Sequence, residues 1–277
     1  MAVSTPDAAG LLAEAAALLD EVSERFVTGL GAPSEVEKGP ADFATAVDLE
    51  LERRLTAELT RRTGIAVHGE EFGGPDVATG TVWVLDPVDG TANYSAGLPL
   101  SGMLLALVHD GVPVAGLTWL PLLNQRYTAV QDGPLFCNGV EVPRLQSRTL
   151  QSSTTSVGAL NRASGGHYPG EYRYQVFGEV SRACLRVRML GSTGLELAWT
   201  AAGLLGGSVT FGHHAWDNAA GVCQVRAAGG VVTDLAGNPW TITSPSVLAA
   251  SPGVHQEMLE LIGALGDPAD HLSAAHA

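Results

Sequence analysis

The order in which the hydrophobic period changes along this chain restricts its fold more than any other feature. Leu11, Ala15, Leu18, Leu19, Val22, Phe26 and Leu30 recur at helical spacing, and Gly31-Ala32-Pro33 ends the run. Val47, Leu51, Leu55 and Leu59 predict a second helix that stops near Gly64. The period then shortens. Residues 65–68 and 81–85 read as strands, each running directly into acidic residues. Residues 103–108 and 112–119 flank Asp110-Gly111, a hairpin signal, and 126–130 and 135–137 follow, with Asn138-Gly139 as a further turn. A polar stretch over 146–155 is the best boundary. Beyond it, strands at 154–157, 186–190, 208–211, 231–233 and 247–250 alternate with helices at 172–185, 195–205, 216–227 and up to about 265. The tail from Asp267 to Ala277 reads as frayed. Hairpins first and alternation afterwards predict a layered α/β protein with mixed sheets, divided at 1–148 and 149–277.

Charge narrows the function. The chain carries 29 Asp and Glu against 15 Lys and Arg, a formal charge of -14. Such a surface repels nucleic acid and anionic lipid, so neither nucleic acid nor membrane is an expected partner. A negative protein that handles phosphate esters needs local cations, and metal ions supply them. Cys137, Cys184 and Cys223 have neither disulfide nor zinc spacing and read as buried small hydrophobes. No apolar run approaches the ~20 residues of a membrane span. Asp7 precedes the first apolar stretch, with no basic segment of a signal peptide before it, so the expected location is the cytoplasm.

Four acidic clusters sit where regular elements end: Asp42 to Asp48, His68 to Glu71, Trp83 to Asn93 and Trp216 to Gly221. The third is the most informative. An apolar strand delivers Asp86, Pro87 breaks the ladder, and Asp89 follows three residues later. Two carboxylates on one tight turn suit hard divalent cations, which prefer oxygen ligands. Gly90 permits close backbone approach, and Thr91 offers a hydroxyl and, if a short helix starts there, N–H groups aimed at an anion. Taken singly, each cluster has a plainer reading. Asp-Pro and Asp-Gly are common turn dipeptides, Glu70-Glu71 suits a solvated pair, and Asp217 suits a helix cap. His213-His214 reads as a structural or substrate-rim pair, and Trp83 and Trp216 as core anchors.

Taken together and in order, the clusters resemble the inositol monophosphatase family from about Lys38 to Ser251. The motif Trp83-x-x-Asp86-Pro87-x-Asp89-Gly90-Thr91-x-Asn93 is accompanied by Gly69-Glu70-Glu71 and by Asp42-x-x-Thr45-x-x-Asp48. Downstream, Trp216-Asp217-x-Ala219-Ala220-Gly221 is followed by Ala228-Gly229-Gly230. The resemblance implies an αβαβα sandwich with the site between its two halves, a homodimer, and two to three Mg²⁺ ions. Glu70, Asp86 and the Val88 carbonyl are implied for one ion, Asp86, Asp89 and Asp217 for a second, with Glu70 helping a third. Gly90 and Thr91 would take the phosphate. Asp48 would hydrogen-bond Thr91, and that pair with Glu70 would orient a metal-activated water. Lys38 matches a position near the third ion, and lithium inhibition is implied as well.

Substrate choice is where the match loosens. The family places it near Gly191, Ser192 and Thr193 and in the segment before Trp216. Inositol-selective members carry a Glu where this chain has Thr210, which offers one hydroxyl and no charge. Inositol 1-phosphate is the default small monoester and histidinol phosphate the alternative, since an acidic rim suits a cationic substrate. Bisphosphates want more cations than Arg186 and Arg188, which read as solvent-facing strand residues. A non-catalytic regulatory binding protein is the reading from a different class.

Overall fold

The computed structural model of the chain describes residues 7–39, 42–158, 160 and 167–272. It begins with α1 (Ala8–Thr28), the hairpin β1 (Ser34–Gly39) and β2 (Asp42–Thr45), α2 (Ala46–Thr63), and β3 (Val67–Gly69). Then come β4 (Thr81–Asp89), the one-turn α3 (Thr91–Ser95), β5 (Gly102–His109), β6 (Val112–Leu120), β7 (Gln125–Val130), β8 (Leu135–Cys137) and β9 (Val140–Glu141). The alternating part is β10 (Thr154–Val157), α4 (Gly170–Ala183), β11 (Arg186–Arg188), α5 (Thr193–Ala201), β12 (Gly207–Thr210), α6 (Ala215–Ala227), β13 (Val231–Thr233), β14 (Val247–Ala250) and α7 (Pro252–Gly263).

Strands β3 to β9 form one sheet in sequence order, antiparallel except for the parallel β3–β4 pair. The second sheet has the order β11-β10-β12-β14-β13, parallel around β10 and antiparallel around β14. Strand alternation divides the apolar residues among three layers of core. Trp83, Leu85, Met103, Leu105 and Leu107 pack beneath α1 and α2. Val82, Val84, Leu104 and Ala106 face the other way, onto α5 and α6, where Val247 and Ala249 of the second sheet meet them. Leu248 and Ala250 point outward to α4 and α7. The result is a helix–sheet–helix–sheet–helix sandwich, and its central strands are apolar on both faces because both faces are covered.

Local chemistry explains most boundaries. Asp7 caps α1 through the Gly10 N–H, and Thr45 and Asp48 form a reciprocal capping box on α2. Asp110 and Asn138 both adopt positive φ in their two-residue hairpins.

Four expectations need correction. Pro87 does not end β4: pairing resumes at Asp89 opposite Gly102, with one extra residue on the β4 side, so Pro87 sits in a bulge. The strand expected to reach residue 190 stops at Arg188, because the Leu190 N–H and C=O are taken by side chains of Glu196 and Asn93. Of the three cysteines only Cys223 is buried. Residues Pro268–His271 form a 3₁₀ turn with His271 stacked on Tyr172, and 273–277 of the expected frayed tail lie outside the described residues. Other limits move by one to four residues: α5 starts at Thr193, two before its expected start, and ends at Ala201, four short of residue 205.

The middle helix layer lies close to the first sheet because small residues let it. A Cβ on Gly116 of β6 would collide with the Ala220 carbonyl oxygen of α6. A backbone atom cannot swing aside, so Gly116→Ala is expected to cost about 1–3 kcal/mol. Urea denaturation measures it; a loss under 0.5 kcal/mol, a rough floor for overpacking, would show that α6 shifts freely.

Candidate active site

The parity of a strand explains why the bulge matters. Residues three apart in a regular strand point to opposite faces. The extra residue between Asp86 and Asp89 resets that parity, and the Val88 N–H donates to Asp86 Oδ1 at 2.9 Å to fix the turn. Asp86 and Asp89, 1% and 4% exposed, thereby converge. Asp217, in the first turn of α6, joins them where the helix dipole favours an anion. Oxygens of these three carboxylates all lie within 4.8 Å of one another.

Such crowding raises proton affinity. Burial pushes the Asp86 and Asp217 carboxyls well above the carboxylate range, and repulsion from Glu70 and Asp89 adds to it. Burial also lifts Asp89, but only to about 6, because donors hold its charged form. The Ser192 hydroxyl donates to Oδ2, as does the Gly194 N–H at 2.9 Å, and the Thr193 N–H donates to Oδ1 at 3.0 Å. Ser192 and Thr193, expected at the substrate, are thus in contact with a carboxylate of the cluster. Asn93 Nδ2 donates to the carbonyls of Leu100 and Leu190, tying α3 to the turn that carries these donors.

The phosphate-side residues adjoin the cluster. Gly90 has φ +80° and precedes α3, and a Cβ there would lie 3.0–3.1 Å from the Leu100 and Gly191 carbonyls and Ser192 Cβ. Thr91 Oγ1 donates to the Val88 carbonyl at 3.0 Å and lies 3.3 Å from Asp48 Oδ1. Asp48 is fully buried, its other oxygen engaged by Thr45 in the helix cap, and burial raises its carboxyl.

Glu70 stands beside Asp86 but outside the group of three; its Oε1 is 2.6 Å from Lys38 Nζ, which also holds Glu71 Oε1 at 2.7 Å. Thr210 is buried, and its Oγ1 accepts from the Gly212 N–H at 3.3 Å. Trp83 is a core anchor, fully buried with its indole N–H on Thr63 Oγ1. Trp216 is not: it is half-buried, stacked on His214 at 4.4 Å and His68 at 5.8 Å between ring centroids. Asp217 forces this, since the helix start that aims its carboxylate inward leaves the preceding indole at the rim.

Sequence reasoning passed over three residues. Glu52 is 1% exposed and accepts the N–H groups of Glu71 and Phe72 at 2.8 and 2.9 Å, holding the turn that presents Glu70. Gly69 leaves room for that carboxylate, which a Cβ would strike. Its signal was an acid four residues after Asp48, on the apolar face of α2. Asn218 Nδ2 donates to the Gly212 and His214 carbonyls and shapes the segment before Asp217. Glu196 is the third.

Among the described residues, the group of three offers hard oxygen donors, concentrated and largely buried, with Lys38 near them. That donor set fits Mg²⁺ and gives no soft ligand for a thiophilic metal.

A sequence profile of the inositol monophosphatase family matches residues 5–265. The inositol-1-monophosphatase ImpA of Mycolicibacterium smegmatis is 55% identical over 262 residues, covering 95% of each chain. The Nus factor SuhB of Escherichia coli is 30% identical, over 80% of this chain and 83% of that one. Among solved structures, the IMPase of Thermotoga maritima matches with a TM-score of 0.83 at 26% identity, covering 92% of this chain and 97% of its own.

The raised carboxyls have a thermodynamic consequence. With folded-state pKa values above unfolded ones, the native chain binds more protons, so stability falls as pH rises through the interval between them. For Asp89 that interval runs from about 3.8 to about 6. Removing one charge relieves the rest. In chelator at pH 7.5, Asp86→Asn is expected to melt above the wild type, by roughly 2–4 °C for each kcal/mol relieved. The advantage should shrink towards pH 4. A lower melting temperature than wild type at pH 7.5, followed by scanning fluorimetry, would refute it.

Proposed function

The chain belongs to the inositol monophosphatase family and is a phosphoric monoester hydrolase, and on that premise we propose that it hydrolyses inositol 1-phosphate with Mg²⁺. The observation that carries this reading is the convergence of Asp86, Asp89 and Asp217 beside the Gly90-Thr91 start of α3. Asp86, Asp89, Asp217, Glu70 and the Val88 carbonyl would hold two Mg²⁺ ions, with Glu70 beside a weaker third. When bound, these ions would supply positive charge to the phosphoryl and leaving oxygens and acidify water.

The remaining roles fall to the chain. Gly90 and Thr91 would take the phosphate on backbone N–H groups at the start of α3. The Thr91 hydroxyl, set between the Val88 carbonyl and Asp48, would orient the attacking water together with Asp48 and Glu70. Gly191, Ser192 and Thr193 would border the alcohol, although the Ser192 hydroxyl and Thr193 N–H are engaged by Asp89. Thr210 would contribute to the alcohol side through shape more than charge, its hydroxyl oxygen accepting the Gly212 N–H. The same reading carries a cytoplasmic homodimer; no described helix is long and apolar enough to cross a membrane.

Similarity to a Nus factor supports one competing reading, a regulatory protein that works by binding. Phosphate release from inositol 1-phosphate, histidinol phosphate and glycerol 2-phosphate, with and without Mg²⁺, separates the two. Turnover of inositol 1-phosphate that requires Mg²⁺ is expected; no turnover of any ester by folded protein would favour the binding role. Asp217→Asn should lower kcat at saturating Mg²⁺ at least 100-fold, on the order of 2.7 kcal/mol of transition-state stabilisation. Near-normal turnover in that variant would remove Asp217 from the machinery.

A further inference from the structure

Glu196 has no place in the chemistry described so far, yet it is a carboxylate 2% exposed in the middle layer of the sandwich. A buried acid demands partners, and those it has are instructive. Its Oε1 accepts the Leu190 N–H at 2.8 Å, and the adjoining Gly191 N–H also favours its charged form. Burial pushes its carboxyl up to about 7, while the amides favour the ionised acceptor. On the opposite side of Leu190, the carbonyl accepts from Asn93 Nδ2 at 2.7 Å. The Leu190 residue is therefore gripped at both its N–H and its C=O. Gly191, with φ +73°, turns the chain immediately afterwards, and the next three residues present a hydroxyl and two N–H groups to Asp89.

We propose that Glu196 is a positioning residue for the metal site, acting through the Leu190–Gly191 amides to hold the Ser192–Gly194 donors on the Asp89 carboxylate. Asp89 is thereby aimed from the middle layer of the sandwich, across from the sheet that carries it. One acid on β4 and its orienting turn on the α5 side make the cluster depend on how the middle helices pack, through a second route besides Asp217. The inference rests on the reading that Asp89 is a metal ligand.

Calorimetric titration of the full-length protein with Mn²⁺ tests it without recourse to turnover. Glu196→Gln keeps the size of the side chain but offers one acceptor oxygen and sets an NH₂ against a backbone N–H. Mn²⁺ affinity is expected to fall at least 10-fold. Ser192→Ala, which removes the hydroxyl donor from Asp89, is the second arm of a double-mutant cycle. If Glu196 works through that donor, the double variant binds little worse than the weaker single one. A general packing defect would instead give losses that multiply, and would overturn the proposal, as would unchanged affinity in Glu196→Gln. Where Glu196→Gln fails to fold, Glu196→Asp is read in its place: it keeps the charge and withdraws the carboxylate by one methylene, and the same loss is expected. Wild-type protein that binds no Mn²⁺ would overturn the reading of Asp89 as a ligand; wild-type binding with an unaffected Glu196 variant overturns the positioning role alone.

Discussion

Repulsion among Asp86, Asp89 and Asp217 is the constraint around which the rest of the molecule is organised. Three carboxylates within 4.8 Å, two of them almost fully buried, would separate or take up protons in any pliable setting. They are kept together because each is attached to an element that packing holds in place. Asp86 and Asp89 ride on a strand apolar on both faces, between two of the three cores. Asp217 begins a helix whose residues 218–225 are all buried. Breaking the cluster apart would mean unpacking the middle layer, and the hydrophobic area at stake there exceeds what a few surface contacts could hold.

Packing alone would still leave the charges costly, so the fold supplies partial compensation without neutralising them. Asp89 receives a hydroxyl and two amides, and Asp86 one amide. These are dipoles, not counter-charges. The nearby ammonium, Lys38, reaches Glu70 and Glu71, not the group of three. A site balanced in this way retains an appetite for cations, and the same feature makes the metal-free cluster a source of instability.

How much of this could be seen in the sequence varies with the distance over which each feature is encoded. Hairpins and helix starts are local. Asp110-Gly111 and Asn138-Gly139 announced themselves through turn chemistry, and the structure has them there, whereas the Asp7 cap and the Thr45–Asp48 capping box were seen only in the structure. A layered α/β protein with mixed sheets was legible from the change of period, and the αβαβα order was what the resemblance of the motifs implied. The acids of the cluster were legible too, because each lies at the end of an apolar element where a carboxylate serves no packing purpose. Pro87 misled for a physical reason: a residue that cannot donate to a ladder commonly ends it, but a bulge also needs one fewer donor. Trp216 misled because a large apolar residue beside a buried acid normally packs inward, whereas here it stacks with His214 and His68 along the rim.

What escaped is of another kind. Glu52, Asn218 and Glu196 touch no expected ligand; they accept from or donate to backbone groups of the segments that carry the acids. Glu52 lies on the same helix face as Asp48, so amphipathic spacing could have found it. Glu196 could not have been found that way, because its partners Leu190 and Gly191 become significant only once Asp89, about a hundred residues earlier in the chain, is seen to lie against the turn that follows them. Motif residues can be read from type and spacing because metal chemistry dictates both. The residues that aim them are dictated by three-dimensional closure, and any side chain able to satisfy the same two amides would serve. Orientation of the cluster, and with it the shape of the alcohol side near Ser192 and Thr210, is therefore where members of one family have room to differ while their acids stay in place.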